Sequence, residues 1–385
     1  MSPRSKKWLS NGIRVAVSVS ILGWIAYKIQ WEDHTWNVTR TEIQHDGQTK
    51  ALLANGSGET KEITVWDFPA RPGETWVERG IVSVFGTLQL GWIVAAMGVF
   101  WLAPALQAFR WRRLLRVQDV HLSIVAVVKL MWVGLFFNLF LLGAVGGDLI
   151  KAYYVSHHAA RSTGTRAESI ITVLVDRLIG LVGLVWLSAA AMGAWVLWHP
   201  GGAVLRGGLP WLWLTPGVVV LLFGGVFFSG PLRDLLGINK LIGRLGENHM
   251  VRRLDRAVYL YRNHKRVILE AFGWTFASHV SLIACVYFIL RAFGIDALPA
   301  VVIFTPLILV ATGIIPAIGG LGVQEYGFVL FFAALAGADG LTVALAASLI
   351  YRLVNIAWSL PGAVVMMLGT HMPSRAEMER EMEQT

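Results

Sequence analysis

The stretches FFNLFLLGAVGGDLIKAYY, residues 136–154, and TGIIPAIGGLGVQEYGFV, residues 312–329, decide how this chain is read. Each is an apolar run interrupted by a Gly-Gly pair and resumed as a helix that carries charge. Hydrocarbon cannot hydrogen-bond a broken backbone, so such a break persists only where protein or water covers it. Two breaks in corresponding halves of a chain predict a site near the bilayer midplane, between inverted repeats.

Outward from these stretches, six apolar runs read as full spans: 15–27 with flanking residues to Trp31, 88–106, 170–198, 211–228, 267–293 and 341–368. Basic residues set the orientation, because short cytoplasmic loops collect Lys and Arg. Arg4, Lys6 and Lys7 put the N-terminus in the cytoplasm. Arg110, Arg112, Arg113 and Arg116 precede the first broken run, and Arg161 and Arg166 follow it. A re-entrant hairpin keeps both clusters inside. Neither flank of the second broken run is basic, so that hairpin enters from outside. The fold expected is an all-α polytopic membrane protein with six full spans and two oppositely oriented re-entrant hairpins.

Composition agrees. Of 385 residues 55% are hydrophobic and 15% charged, with a mean hydropathy of +0.59, against about 25% charged in soluble domains. The net charge of +9 lies between apolar runs, which fits cytoplasmic loops and anionic headgroups and not nucleic acid. The one cysteine, Cys285, sits in an apolar run and reads as a small buried residue. No small-residue cleavage site follows Tyr27, so the first apolar run reads as a retained span and not as a signal peptide.

The domains expected are 1–30, the cytoplasmic tip and first span; 31–83, a small extracytoplasmic β-rich insert; 84–369, the transmembrane domain; and 370–385, a cytoplasmic tail. The insert alternates polar and apolar residues between Asp-Gly and Asn-Gly turns, and its acidic residues outnumber its basic ones nine to five. The sequons at Asn37 and Asn55 have meaning only in a glycosylating pathway. Within 231–266, the most basic segment, Leu254, Val258 and Tyr261 make an apolar stripe against a cationic face. That pattern suits a helix on an anionic leaflet, or equally a solvated basic loop.

Charges inside apolar segments need a partner or a task, since each costs about 2.5–3.5 kcal/mol at the bilayer centre. Asp176 and Arg177 are adjacent, hence about 100° apart on a helix, so each needs its own partner. Arg352 is mid-span, and Glu325 on the preceding hairpin is its natural counter-charge. That pair reads as a structural bridge, a gate or an anion site. Lys151 and Asp148 read as an interfacial pair with a snorkelling lysine or as a phosphate contact. Lys129 also reads as snorkelling, and His279 and Asn138 read as hydrogen-bonding partners between helices. Each half-helix begins after glycines, so its free N–H groups favour an anion there; Gly-Gly also serves close helix packing. The headgroup or phosphate contacts expected are Gly146, Gly147, Asp148, Lys151, Arg177, Gly319, Gly320 and Arg352. Asp176 and Glu325 are the gating or counter-charges. No metal-ligand spacing, nucleotide loop or dinucleotide fingerprint is present, so no cofactor, metal or catalytic residue is expected.

The pieces GGDLIKAYYV, SIITVLVDRLIGLVGL, IPAIGGLGVQEYGFVL and LIYRLVNIAWSLPGAVVMM, spread over 88–368, resemble the lysylphosphatidylglycerol synthase transmembrane region, also described as flippase-like integral membrane proteins. The resemblance implies movement of anionic, modified or polyprenyl-phosphate-linked lipids between leaflets of the cell membrane. The synthase domain of the best-understood relatives is missing, so lysyl transfer is not implied. Leu142 stands where proline is usual, and the β-rich segment is an addition. The partners expected are anionic membrane lipids, envelope-biosynthesis proteins and a second copy of the chain. The alternatives are a membrane-embedded transferase using Asp148 and a non-transporting scaffold.

Overall fold

A computed structural model describes residues 31–44, 49–65, 70–140, 146–159, 166–198, 230–244, 263–315 and 317–368, with positions 20, 23, 252, 255 and 261. The spans expected at 15–27 and 211–228, and the tail at 370–385, lie outside the described residues. The chain divides into two units, Met1–Gly98 with Ala284–Asn355, and Val99–Ile283 with Ile356–Thr385.

In the first unit, β1 (His34–Ile43), β2 (Thr49–Ala54), β3 (Thr60–Val65) and β4 (Thr75–Glu78) form one antiparallel sheet in the order β3-β2-β1-β4. Successive strand residues point to opposite faces, so the alternation gathers Trp36, Val38, Ala51, Leu53 and Trp76 into one small core with Ile63 against it. Glu78 takes the Trp36 indole N–H at 3.0 Å and the Lys61 ammonium at 2.5 Å. The sheet is fastened below its ends. Asp33 accepts the Gly80 N–H at 2.7 Å, and Arg79 Nε donates to Asp339 at 2.6 Å. Helix α1 (Ile81–Gly86) then packs Ile81 and Val84 on Val343 and Ala346.

The chain continues through α2 (Leu90–Phe100) and α3 (Leu102–Val117) into the second unit, with α4 (Ile124–Phe140), α5 (Gly146–Ala159) and α6 (Arg166–Trp198). Two short helices follow, α7 (Gly230–Leu235) and α8 (Ile238–Gly243). Helix α9 (Lys265–Ala292) leads back to the first unit, where α10 (Leu298–Ile314), a 3-10 turn at Ile318–Gly320, α11 (Val323–Phe332) and α12 (Gly340–Leu368) complete it. Among the described residues, four stretches are helical, long and apolar enough to cross a membrane: Leu90–Val117, Thr172–Ala194, Lys265–Ala292 and Gly340–Leu368. Shorter apolar helices, among them Ile124–Leu139, Leu298–Gly313 and Val323–Gly337, belong to the two broken runs.

Two expectations change. Arg110 does not face outward as its neighbours Arg113 and Arg116 do. Helix α3 runs on to Val117, and Arg110, 3% exposed, pairs with Asp176 of α6 at 2.7 Å and Thr275 of α9 at 2.8 Å. Tyr261 does not face a lipid leaflet. It is buried against Leu114, Val175, Ile179, Ile268 and Ala271, and its hydroxyl donates to the Leu114 carbonyl at 3.1 Å. Burial pushes that hydroxyl up to about 12, so it stays a neutral donor. Leu254 and Val258 lie outside the described residues.

Arg110→Leu is expected to destabilise by about 3–5 kcal/mol, because Asp176 is left as a buried unpaired charge. Arg110→Leu with Asp176→Leu should recover most of that loss. Thermal unfolding of both variants in detergent measures the difference.

Candidate functional site

Each broken run folds as an antiparallel helical hairpin. In the second unit, α4 and α5 lie against each other with no side chain between them at Gly147, where a Cβ would overlap the Gly134 carbonyl. Asn138, one turn after Gly134 on the same face of α4, accepts the Gly147 N–H at 2.9 Å. A donor orphaned at the start of α5 is thereby satisfied. The turn itself, residues 141–145, lies outside the described residues.

Asp148 occupies the first turn of α5, where the helix dipole favours a carboxylate. It meets two cations. Arg177 of α6 donates its Nε to one carboxylate oxygen, and Lys151 reaches the other at 3.0 Å. Lys151 does not snorkel outward. Its stem fills the gap that Gly134 leaves, and its ammonium lies 5.7 Å from the centroid of the Trp111 ring. The buried Trp111 Nε1 has no acceptor among the described residues. Two cations face one carboxylate here, while the adjacent Asp176 is taken by Arg110. The two neighbours Asp176 and Arg177 therefore do find separate partners.

In the first unit, α10 and α11 are held by stacked Phe304 and Phe331, 4.6 Å between ring centroids, and by Ile308 against Gly327. The turn between them needs glycine. Gly319, Gly320 and Gly322 have φ of 54°, 69° and 85°, a region that side chains disfavour. Glu325, 2% exposed, folds back to accept the Gly322 N–H at 2.7 Å. Arg352 of α12 then closes the turn from the other side. It donates its Nε to Glu325 at 2.7 Å, Nη1 to the Gly319 carbonyl at 3.1 Å and Nη2 to the Gly320 carbonyl at 3.4 Å. Gln324 adds a bond to the Ser348 carbonyl at 3.1 Å. The carboxylate that caps α11 is itself neutralised by Arg352.

The expectation that the half-helix N-termini present free N–H groups therefore needs refinement. Gly147 and Gly322 donate to the protein's own side chains. Among the described residues the breaks differ in charge: Glu325 meets Arg352 at the second, while Asp148 meets both Lys151 and Arg177 at the first. Sequence reading did not single out Arg110 as an inward charge. Its signal was spacing, since Ala103, Arg110 and Leu114 fall seven and four apart on one stripe of α3. His279 donates its Nε2–H to the Gly180 carbonyl, 3.0 Å away, as a contact between helices. Lys129 is exposed on α4. Among the described residues no group of three or more His, Cys, Asp or Glu is placed to hold a metal ion.

Apolar helices of spanning length, with ion pairs buried beside broken ones, define a multi-pass integral membrane protein. The chain belongs to the lysylphosphatidylglycerol synthase TM region family, whose model matches residues 79–362, and so to a membrane-protein family linked to lipid handling. It is also similar to a protein of Pyrococcus horikoshii described as UPF0104 membrane protein PH1989, at 26% identity over 110 residues, 28% of this chain and 32% of that one. The chain thus aligns with about a third of the length of that curated relative. No solved structure matches it.

Gly147→Ala is expected to cost about 1–3 kcal/mol or more, because the added methyl forces the Gly134 backbone away. Gly273→Ala in α9, whose methyl meets open space, should be neutral or stabilising by up to about 1 kcal/mol. Melting temperatures of the purified variants compare the two.

Proposed function

We propose that this protein is a flippase-like translocase that carries a lipid with an anionic headgroup between leaflets of the cell membrane. The observation that carries this reading is the buried charge cluster at the α4–α5 hairpin, where Lys151 and Arg177 both reach Asp148. Charged groups buried in a membrane-spanning fold are costly and mark a pathway. A phosphate arriving there would meet the Lys151 ammonium and offer an acceptor to Trp111 Nε1, which has none among the described residues. The two hairpins act as re-entrant elements of opposite orientation, the basic segment 231–266 faces the cytoplasm, and the sheet faces outward. In this reading Arg352 and Glu325 clamp the second hairpin, since each is already consumed by the turn it closes. Asp148 is likewise held by two cations, which suits carriage better than service as the base of a transferase.

Two single substitutions test this. Lys151→Met leaves Asp148 with Arg177, and Arg177→Gln leaves it with Lys151, so each variant keeps a cation on the buried carboxylate and is expected to fold. Each should lower the flipping of fluorescent phosphatidylglycerol in proteoliposomes by about tenfold, the equivalent of about 1.4 kcal/mol. Wild-type rates in both folded variants would end the proposal.

A further inference from the structure

Helices α7 and α8 and the turn between them carry three leucines that the protein leaves uncovered: Leu235 is 82% exposed, Leu236 52% and Leu241 64%. In sequence, α7 begins directly after the apolar run 211–228, and the spanning helix α9 follows at Lys265. The pair of short helices therefore belongs to a loop bounded on both sides by apolar stretches of membrane-crossing character. Its charge is strongly one-sided, with nine basic and three acidic residues over 231–266.

Local geometry sorts those charges. Arg233 is turned inward and pairs with Asp255. Asp234 accepts the Asn239 amide at 2.6 Å, and the chain reverses at Gly237 in the left-handed region. Lys240 and Arg244 remain exposed beside Leu241. We infer that α7 and α8 form an interfacial anchor: the leucines enter the acyl boundary of an anionic leaflet, and Lys240 and Arg244 meet its phosphates. Apolar area leaves water while the cations stay at headgroup depth, as for other amphipathic helices that lie in the membrane plane. This anchoring does not depend on which lipid the hairpins carry. It also moves the lipid-facing stripe of this segment from Tyr261, which is buried in protein, to residues 235–241.

The chain's one cysteine is buried, so a thiol introduced at the surface can be labelled selectively. Full-length Leu241→Cys carrying an environment-sensitive fluorophore is reconstituted in phosphatidylcholine vesicles with and without phosphatidylglycerol, with doxyl-labelled lipid as quencher. Gly56→Cys, at a turn where an added side chain meets open space, is the water-exposed control. The inference expects a blue-shifted emission at 241, quenching by shallow doxyl lipid, and stronger quenching when phosphatidylglycerol is present. Emission at 241 equal to that at 56 overturns it. A blue shift without lipid quenching overturns it in favour of cover by protein. Equal quenching with and without phosphatidylglycerol overturns the anionic preference.

Discussion

A helix that stops inside hydrocarbon leaves N–H and C=O groups that no solvent will accept, and each costs several kcal/mol if unmet. Much of the described polar structure in this chain answers that requirement. At the first break the donor is Gly147 N–H and the answer is Asn138. At the second the donor is Gly322 N–H and the answer is the Glu325 carboxylate. A carboxylate brought in to cap a helix is a buried charge, which then requires a cation. Arg352 supplies it and also covers the carbonyls of Gly319 and Gly320, the acceptors the same break exposes. The ion pair is thus a consequence of the break and its repair at once.

The two hairpins share this grammar and differ in its charge. In each, an acidic residue lies in the first turn of the second limb, and its arginine comes from the next long helix, at Asp148 with Arg177 and Glu325 with Arg352. Capping is divided differently. Glu325 both caps and pairs, so one cation suffices. At the first hairpin Asn138 caps, and Asp148 is left to balance Arg177 and Lys151. Among the described residues Lys151 has no counterpart at the second hairpin.

How far these features show in the sequence depends on how local they are. The Gly-Gly breaks interrupt long apolar runs, and Glu325 with Arg352 are isolated charges in adjacent apolar elements, so hairpin and partner were both readable. The sheet was readable from alternation and turn residues. Arg110 was not, because it stands in a run with Arg112, Arg113 and Arg116, and charge counting cannot tell which of four arginines turns inward. Its partner Asp176 lies 66 positions away. Tyr261 misled for the opposite reason: its amphipathic spacing is real, but periodicity states that a face is buried, not whether lipid or protein buries it. The capping role of Asn138 depends on α4 folding back onto α5, which no spacing along one helix reveals.

The sheet shows how an addition of this size can be carried without disturbing the helices. Its first and last strands are paired, with His34 opposite Glu78, so the chain enters and leaves the sheet at one place. Its core of Trp36, Leu53 and Trp76 is closed by its own residues and borrows little from the helices. The family match begins at residue 79, immediately after the last strand. Arg79 is also the residue that binds Asp339 at the start of α12. A self-sufficient sheet inserted between adjacent chain ends needs few fastenings to the membrane domain, here Arg79 on Asp339 and the Gly80 N–H on Asp33. The same pairing keeps the ends of the sheet at a fixed spacing. Arg79 and Asp339 join the end of β4 to the turn before α12, the helix that carries Arg352.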